Sequence, residues 1–302
     1  MKRQYTKKQI IEAIAFWEKQ LKLKNCKDNS QLRCIVESAD DDYYTMFIGN
    51  KNHHDKIRTP TIDQPLFLAV DIEYAYYYTD GHTAICEDDA SGYIQVVKFP
   101  KSYLDNSMLN LTSDMKKACD ILGFPDVMTT IHMHCAGMQW YASVVVGQLI
   151  NTIGKSLFNA EDIKSRKADL SFCCSYLKSQ LSKLEYVSKS WLASNAPEIT
   201  PAAMAEFIEW AKNNEDLKAL LPVYFSSARP SSIKETYKLT AALYFKPLSE
   251  KGYKAFCNLE GEGSKLKSWC VGIIDENFSK VCTCKCYQAD DPKLKQYDKS
   301  NQ

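Results

Sequence analysis

The chain has 302 residues, of which 45% are hydrophobic and 25% are charged, as in an ordinary soluble globular protein. Its 38 basic and 37 acidic residues give a formal net charge of +1, which argues against nonspecific binding to nucleic acid or to an anionic membrane. No apolar run approaches the length that spans a bilayer. From this and the balanced charge, we expect neither a membrane nor a nucleic acid as a partner.

The cysteines and the N-terminal residues indicate a cytoplasmic protein. The opening residues, MKRQYTKKQ, lead directly into a polar helical pattern rather than a secretion signal. The 12 cysteines are then expected to be reduced thiols. Two groups of closely spaced cysteines lack the spacing of a zinc knuckle. They are the adjacent pair Cys173 and Cys174, and the alternating set Cys282, Cys284 and Cys286.

Residues 6–24 predict an amphipathic helix. Thr6 and Gln9 form a capping box, and a stripe at helical spacing follows at Ile10, Ile14, Trp17 and Leu21. This helix and a polar linker make up the first predicted segment, residues 1–28. The stripe either docks on the chain's own domain or contacts a protein partner. The stretch TKKQIIEAIAFWEKQL resembles the N-terminal helix of uncharacterised proteins from bacteriophages of gut Bacteroidales, which would place the protein in a bacterial host cytoplasm or a virion.

Residues 29–160 are predicted to form one α+β domain. Aromatic and β-branched runs between residues 32 and 100 indicate strands, with turn signals such as TDGH between them. A helix is expected over LTSDMKKACDILGF, with Thr112 or Ser113 as its cap and Gly123 at its end. Residues 127–135 are predicted to form a further strand, followed by an apolar segment.

Residues 161–288 are predicted to form a second region, with a helical hairpin and a β-hairpin. One helical stripe runs from Leu170 to Trp191, and a second helix opens with Thr200 and Pro201 and ends before Pro222. The chain then returns to strands from residue 236, and WCVGIIDENFSKVCTCKCY is typical of a hairpin over DENFS. Residues 289–302 are expected to form a flexible, charged tail.

The stretch TTIHMHCAGMQWYASVVVG, residues 129–147, is the one best suited to chemistry. In a strand, His132 and His134 would point to the same face, as two imidazole ligands of one zinc ion require. The alternative is that both rings are ordinary polar residues on a half-wet sheet face.

The succession of elements around these histidines resembles the MPN fold of the JAMM metalloproteases, over about residues 60–160. Glu73 lies in the run VDIEYAY, and residues 99–103, FPKSY, resemble the strand-to-loop element that precedes the family's helix. We therefore expect an α+β fold, namely an MPN-like mixed sheet with flanking helices, followed by the helical hairpin and a C-terminal antiparallel β segment.

The resemblance also implies a zinc-dependent peptidase or isopeptidase. It assigns Glu73 as general acid/base and His132 and His134 as zinc ligands. Ser143 is the candidate for the serine of the site. In that family a zinc-bound water, deprotonated by the glutamate, attacks an amide or isopeptide carbonyl of a protein substrate.

The sequence departs from the family motif after the histidines. The family's third ligand is an aspartate, and its usual spacing places that residue at Val145, while the serine position falls on Ala142, beside Ser143. A third donor would have to come from Cys135 or Asp162, or the site holds no metal. The sequence leaves open a JAMM-like hydrolase, a catalytically degenerate relative, and a non-catalytic phage-encoded structural or interaction protein.

Three further motifs have two interpretations each. The loop His53-His54-Asp55 could bind a metal but is more typical of a solvated turn. A run of tyrosines could stack on a ligand, but its pattern is more typical of a strand with one buried face. These are Tyr74, Tyr76, Tyr77 and Tyr78. Cys282, Cys284 and Cys286 would point to the same side of a strand. This pattern is more typical of a face that packs against the core than of a metal cluster.

Overall fold

The computed structural model describes residues 42–76, 78–79, 92–184, 187–226, 233–260 and 268–297. The helix predicted for residues 6–24 lies outside these ranges. The chain divides into two compact units: unit 1 comprises Met1–Ser113 and Gly252–Gln302, and unit 2 comprises Asp114–Lys251. The domain boundary predicted near residue 160 therefore falls inside unit 2.

Unit 1 is built on a seven-stranded sheet. Its strands are β1 (Tyr43–Asn50), β2 (Leu66–Ala69), β3 (Tyr93–Pro100), β4 (Met108–Asn110), β5 (Ala255–Glu260), β6 (Ser268–Ile273) and β7 (Thr283–Gln288). They lie in the order β4-β5-β6-β2-β1-β3-β7. β4 and β5 are parallel, whereas the other neighbours are antiparallel. The expectation of an α+β protein with a mixed sheet and flanking helices is confirmed.

Both faces of this sheet are buried at β1 and β3. Met46 and Val97 belong to one core cluster, whereas their chain neighbours Phe47 and Val96 belong to the other. Successive side chains of a strand point to opposite faces, so β1 and β3 each supply both clusters. This explains why the two segments read as nearly continuous apolar runs in the sequence.

A glycine makes room for two aromatic rings in the centre of the sheet. Gly272 on β6 pairs with Phe67 on β2 and with Phe256 on β5. The two rings meet edge-on with their centroids 6.0 Å apart. A Cβ atom at position 272 would overlap the ring of Phe256. Packing above the strand, rather than an unusual backbone angle, requires glycine here.

A short helix, α1 (Ile72–Tyr76), follows β2 where the sequence predicts a continuous strand. That strand prediction is wrong beyond Ala69. The helix packs Ile72, Tyr74 and Tyr76 into the same core cluster as Phe47. Burial against the sheet therefore outweighs the β-propensity of the tyrosine run, which is a weak and context-dependent preference.

Unit 2 is helical in its described residues. Its helices are α2 (Met115–Leu122), α3 (Asp126–His134), α4 (Gln139–Phe158), α5 (Lys167–Leu181), α6 (Lys189–Asn195), α7 (Pro201–Asn213), α8 (Glu215–Ser226), α9 (Ile233–Thr240) and α10 (Lys246–Glu250). A π-helical segment, Ala241–Phe245, joins α9 to α10. The long helix α4 packs against α3, α5, α8 and α9. Within the described part of the chain, no helix is long and apolar enough to cross a membrane.

Several helix ends follow from local sequence. Asp114 caps α2 by accepting a hydrogen bond from the Lys117 amide, one residue after the predicted caps, and Gly123 ends the helix with a φ of 73°. Thr200 caps α7 with Pro201 in its first turn, as predicted. Other helix predictions are wrong: Trp191 lies on α6 rather than on a continuous stripe, Pro222 lies inside α8, and residues 236–250 are helical rather than extended.

The predicted C-terminal β-hairpin is also wrong. β6 pairs with β2 and β5, whereas β7 pairs with β3 at the edge of the sheet. A short helix, α11 (Phe278–Val281), lies between them. Local sequence identifies both segments as strands but does not specify their partners. The tail predicted from residue 289 is ordered in its first part, because Pro292–Tyr297 forms a 3₁₀ helix that buries Leu294.

Candidate functional site

The two histidines lie on a helix rather than on a strand. Residues 127–135 were expected to be extended, but α3 covers Asp126–His134. Every residue from Val127 to Met133 is buried, so the run carries no periodicity that separates a helix from a strand. Residues two apart on an α-helix differ in direction by about 200°. His132 and His134 therefore do not share a face, and the geometric argument for paired ligands is lost.

His132 is part of a buried polar contact. Its side chain has 0% exposure, and its Nδ1 lies 2.9 Å from the hydroxyl of Tyr244, which belongs to the π-helical segment. Phe124 borders both rings, with centroids 6.2 Å from His132 and 5.2 Å from Tyr244. Burial raises the pKa of Tyr244 well above its ordinary value, and the electrostatic influence of Cys119 and Cys135 acts in the same direction. The phenol therefore stays neutral and can hold the imidazole in place.

His134 makes a local contact within its own helix. Its Nδ1 lies 2.9 Å from the carbonyl oxygen of Thr130, one turn earlier. Because a carbonyl only accepts, Nδ1 carries the hydrogen in the neutral ring. Burial lowers the pKa of His134, although the hydrogen bond to Thr130 acts in the opposite direction. The ring is therefore favoured in its neutral form.

Ser143 is committed to its own helix. It lies on α4 with 0% exposure, and its hydroxyl donates a 2.7 Å hydrogen bond to the carbonyl of Gln139. Such bonds to the preceding turn are the usual way to satisfy a buried serine inside a helix. This contact accounts for the hydroxyl without any part in a reaction.

Glu73, the residue expected to act as general acid/base, lies in the first turn of α1 in unit 1. His132, His134 and Ser143 belong to unit 2. The structure therefore does not gather the four predicted residues within one compact unit.

In unit 1, the structure brings together polar residues that the sequence did not single out. Ser268 on β6 pairs with Glu260 on β5. When the pairing of β2 with β6 is continued by two residues, Asp71 lies opposite Ser268 on the other side of β6. One position along on the same face, Cys270 pairs with Asn258. We call these five residues the polar row. Asp71 and Ser268 are 197 residues apart, so no sequence spacing could have indicated it.

Hydrogen bonds connect most members of the polar row. The Ser268 hydroxyl donates to Asp71 Oδ2 at 2.9 Å, and Asn258 Nδ2 donates to Glu260 Oε1 at 3.3 Å. Burial, followed by the charge of Glu260 and a hydrogen bond to it, raises the pKa of the Cys270 thiol well above its ordinary value. The row thus holds a neutral thiol on the same face as two carboxyl side chains, an arrangement suited to internal hydrogen bonding rather than to nucleophilic attack.

Tyr74 extends the polar row toward α1. Its hydroxyl lies 2.9 Å from that of Tyr78 and 3.5 Å from Glu260 Oε2. Burial, with the charges of Cys270 and Glu260 next, raises the pKa of Tyr74 far above its ordinary value. Tyr74 and Tyr78, which were expected to line a strand, instead form a hydroxyl contact that reaches Glu260 of the sheet.

The residues do not fit the zinc site that the family resemblance implies. His132 Nδ1 contacts Tyr244, His134 points in another direction, and the position of the third ligand is a valine, Val145. The alternative donors are also placed elsewhere, since Cys135 is fully buried and Asp162 accepts a hydrogen bond from the Lys164 amide. Across the described ranges, no three histidine, cysteine or acidic side chains stand ready to hold a metal.

Comparison with known proteins does not assign the chain. No family model matches it, and no curated protein and no solved structure matches it either.

Proposed function

We propose that the chain is a non-catalytic structural or interaction protein, with another protein as its partner. One observation carries this proposal: His132, in the stretch of the sequence best suited to chemistry, is buried and hydrogen-bonded to Tyr244. An imidazole in this position stabilises the helical unit, and it has no exposed surface with which to meet a substrate.

The other residues of the hydrolase hypothesis support the same proposal. Ser143 bonds to its own helix, and His134 bonds to the carbonyl of Thr130. A catalytic zinc needs three protein ligands and an open position for water. The imidazoles of α3 point in different directions, and the third position of the motif supplies only an alkyl side chain at Val145.

A protein is the partner class that the charge of the chain favours. The formal net charge of +1 gives no general attraction to nucleic acid or to anionic lipid. The MPN-like assignment and the phage origin remain hypotheses about ancestry. Under the MPN-like hypothesis, the chain would be a catalytically degenerate relative that keeps the fold and has lost the zinc ligands.

The test is a hydrolysis assay on the purified chain in the presence of Zn²⁺, with peptide-linked and isopeptide-linked protein substrates. We expect no turnover above the blank, and the same result for Glu73→Gln and His134→Ala. Both substitutions fall on partly buried side chains, so each variant should fold. Turnover that is lost in both variants would overturn the proposal in favour of the zinc hydrolase.

A further inference from the structure

The connection between β1 and β2, residues 51–65, is much longer than the sheet requires. The two strands are antiparallel neighbours, and such strands can be joined by a turn of about two residues. The connection contains no helix or strand, and most of its residues are exposed. Ordered loops of this length are uncommon in compact domains unless they carry a function. We call residues 51–65 the long loop.

A buried side chain of β3 holds the first half of the long loop. Gln95 is 3% exposed, and its Nε2 lies 3.0 Å from the carbonyl oxygen of His54 and 3.3 Å from that of Lys56. The same nitrogen lies 3.3 Å from Cys284 Sγ on β7. The Gln95 Oε1 accepts a 2.9 Å hydrogen bond from Asn50, the last residue of β1. One amide therefore fixes the backbone from His54 to Lys56 against the sheet.

The second half of the long loop closes on itself. The Arg58 guanidinium donates to the carbonyl oxygen of Gln64 at 2.5 Å and to that of Pro65 at 2.6 Å. Thr61 and Gln64 exchange two backbone hydrogen bonds, each 3.1 Å long. Ile57 packs against the core of unit 1. The chain's own contacts thus order the backbone, so a partner that binds here need not supply the entropy cost of ordering it.

The long loop presents charged side chains to solvent. Every residue from Lys51 to Lys56 is exposed. Within the described ranges, Lys51 and Lys56 form no ion pair. Asp55 Oδ1 lies 3.6 Å from His53 Nε2, and the two side chains are 86% and 49% exposed. Two lysine charges, with a carboxylate beside one of them, can therefore meet another molecule.

The mixture of charges favours a polypeptide over a nucleic acid or a membrane. The long loop carries three cationic side chains, Lys51, Lys56 and Arg58, and two exposed carboxylates, Asp55 and Asp63. The carboxylates would repel a continuous polyanion such as a phosphate backbone or an anionic bilayer. A polypeptide can place acidic side chains opposite the lysines and neutral donors opposite the carboxylates.

We propose that the long loop is a docking surface for an acidic segment of a partner protein, with Lys51 and Lys56 recognising its carboxylates. This proposal rests on the proposed function as an interaction protein, and it adds the site and the chemistry of the partner. An exposed ion pair contributes little by itself. Because Gln95 fixes the backbone of the loop, the lysines can act together without a further ordering cost.

The experiment measures binding of the full chain to a short, fluorescently labelled peptide of alternating glutamate and serine, by anisotropy at low ionic strength. We expect saturable binding. The double variant Lys51→Glu, Lys56→Glu should weaken it by roughly tenfold or more. Gln95→Ala keeps every charge of the loop but releases its backbone, and it should also weaken binding. Circular dichroism checks that each variant keeps the wild-type fold.

A second charge reversal serves as the matched control. Lys116→Glu, Lys117→Glu changes the net charge by the same amount at two exposed lysines of α2, and it should leave the affinity unchanged. Absence of saturable binding, or equal affinities of the two double variants, would overturn the proposal. Loop-dependent binding to a single-stranded oligonucleotide or to phosphatidylserine vesicles that is tighter than binding to the peptide would overturn the choice of a protein partner.

The hydrolysis assay on the same samples separates this proposal from the proposed function. Zinc-dependent turnover together with loop-dependent peptide binding would overturn the non-catalytic assignment and leave the docking surface in place. Absence of both turnover and loop-dependent binding would overturn the docking surface alone.

Discussion

The side chains of His132 and Tyr244 meet in the interior of unit 2, with 2.9 Å between Nδ1 and the hydroxyl oxygen and 0% exposure on each residue. The tyrosine is supplied by a π-helical segment, a widened turn that is rare in proteins and frequently occurs at functional sites. Here the widened turn places a phenol against an imidazole from another helix of the same unit.

Replacement of Tyr244 by phenylalanine should destabilise the protein. The ring remains, but a buried nitrogen of His132 loses its partner, which costs about 1–3 kcal/mol in the free energy of unfolding. Urea denaturation followed by circular dichroism measures this loss. Tyr176→Phe, at a half-buried position on α5, removes the same atom and should change the free energy by less than about 0.5 kcal/mol. Equal stability of the two variants would show that the contact contributes nothing.

The lowered pKa of His134 predicts a loss of stability in mild acid. Burial, opposed by the Thr130 carbonyl, holds its pKa in the folded chain below the ordinary value of 6.5. The unfolded chain therefore binds more protons in the window below 6.5, so the contribution of His134 is complete above that pH and disappears as the pH falls through the folded pKa. We expect His134→Gln to lose less stability than the wild type between about pH 7.5 and about pH 5. Parallel losses in the two proteins would contradict this assignment.

The two histidines also show what the sequence could and could not predict. The pattern identified β1, β3 and helices α2 and α7, because aromatic and β-branched runs, capping residues and a first-turn proline are local signals. The run from Val127 to Met133 is buried on all sides, so its apolar residues carry no period. The β-branched residues favoured a strand, whereas packing within unit 2 decided for a helix.

The polar row and the contact between Gln95 and Cys284 depend on strand order, which local sequence does not contain. Gln95 and Cys284 are 189 residues apart, and only the pairing of β3 with β7 brings them within hydrogen-bonding distance. Each of these residues lies in a segment that the sequence identifies as a strand, but the pairing of the two strands is not a local property.

Gly272→Ala should destabilise unit 1, because the added methyl group would overlap the ring of Phe256. Overpacking of this kind costs about 1–3 kcal/mol. A double variant that also carries Phe256→Leu should recover part of the loss, since the two positions pair across β5 and β6. A double-mutant cycle in urea measures this coupling. If the losses of the two single variants simply add up in the double variant, the packing of the Phe256 ring does not depend on Gly272.

Thiol reactivity should follow burial. All nine cysteines in the described ranges are free thiols, and burial raises the pKa of Cys119 to about 12. In the folded chain, a thiol reagent should modify half-buried Cys284 and Cys286 before Cys119. Under denaturing, non-reducing conditions we expect close to all 12 sulfhydryls. A count several short of this number would indicate disulfides and contradict the expected cytoplasmic compartment.

The interrupted course of unit 1 has a consequence for how the chain folds as it is synthesised. Unit 2 is one continuous segment and can fold as soon as it leaves the ribosome, whereas β2 must wait for β6, whose Ile273 pairs with Leu66. Until Gly252–Gln302 has emerged, the strands already made present an open edge to other nascent chains. Ribosomes that stall or terminate before β5 would therefore release a product with a folded helical unit and an aggregation-prone half-sheet.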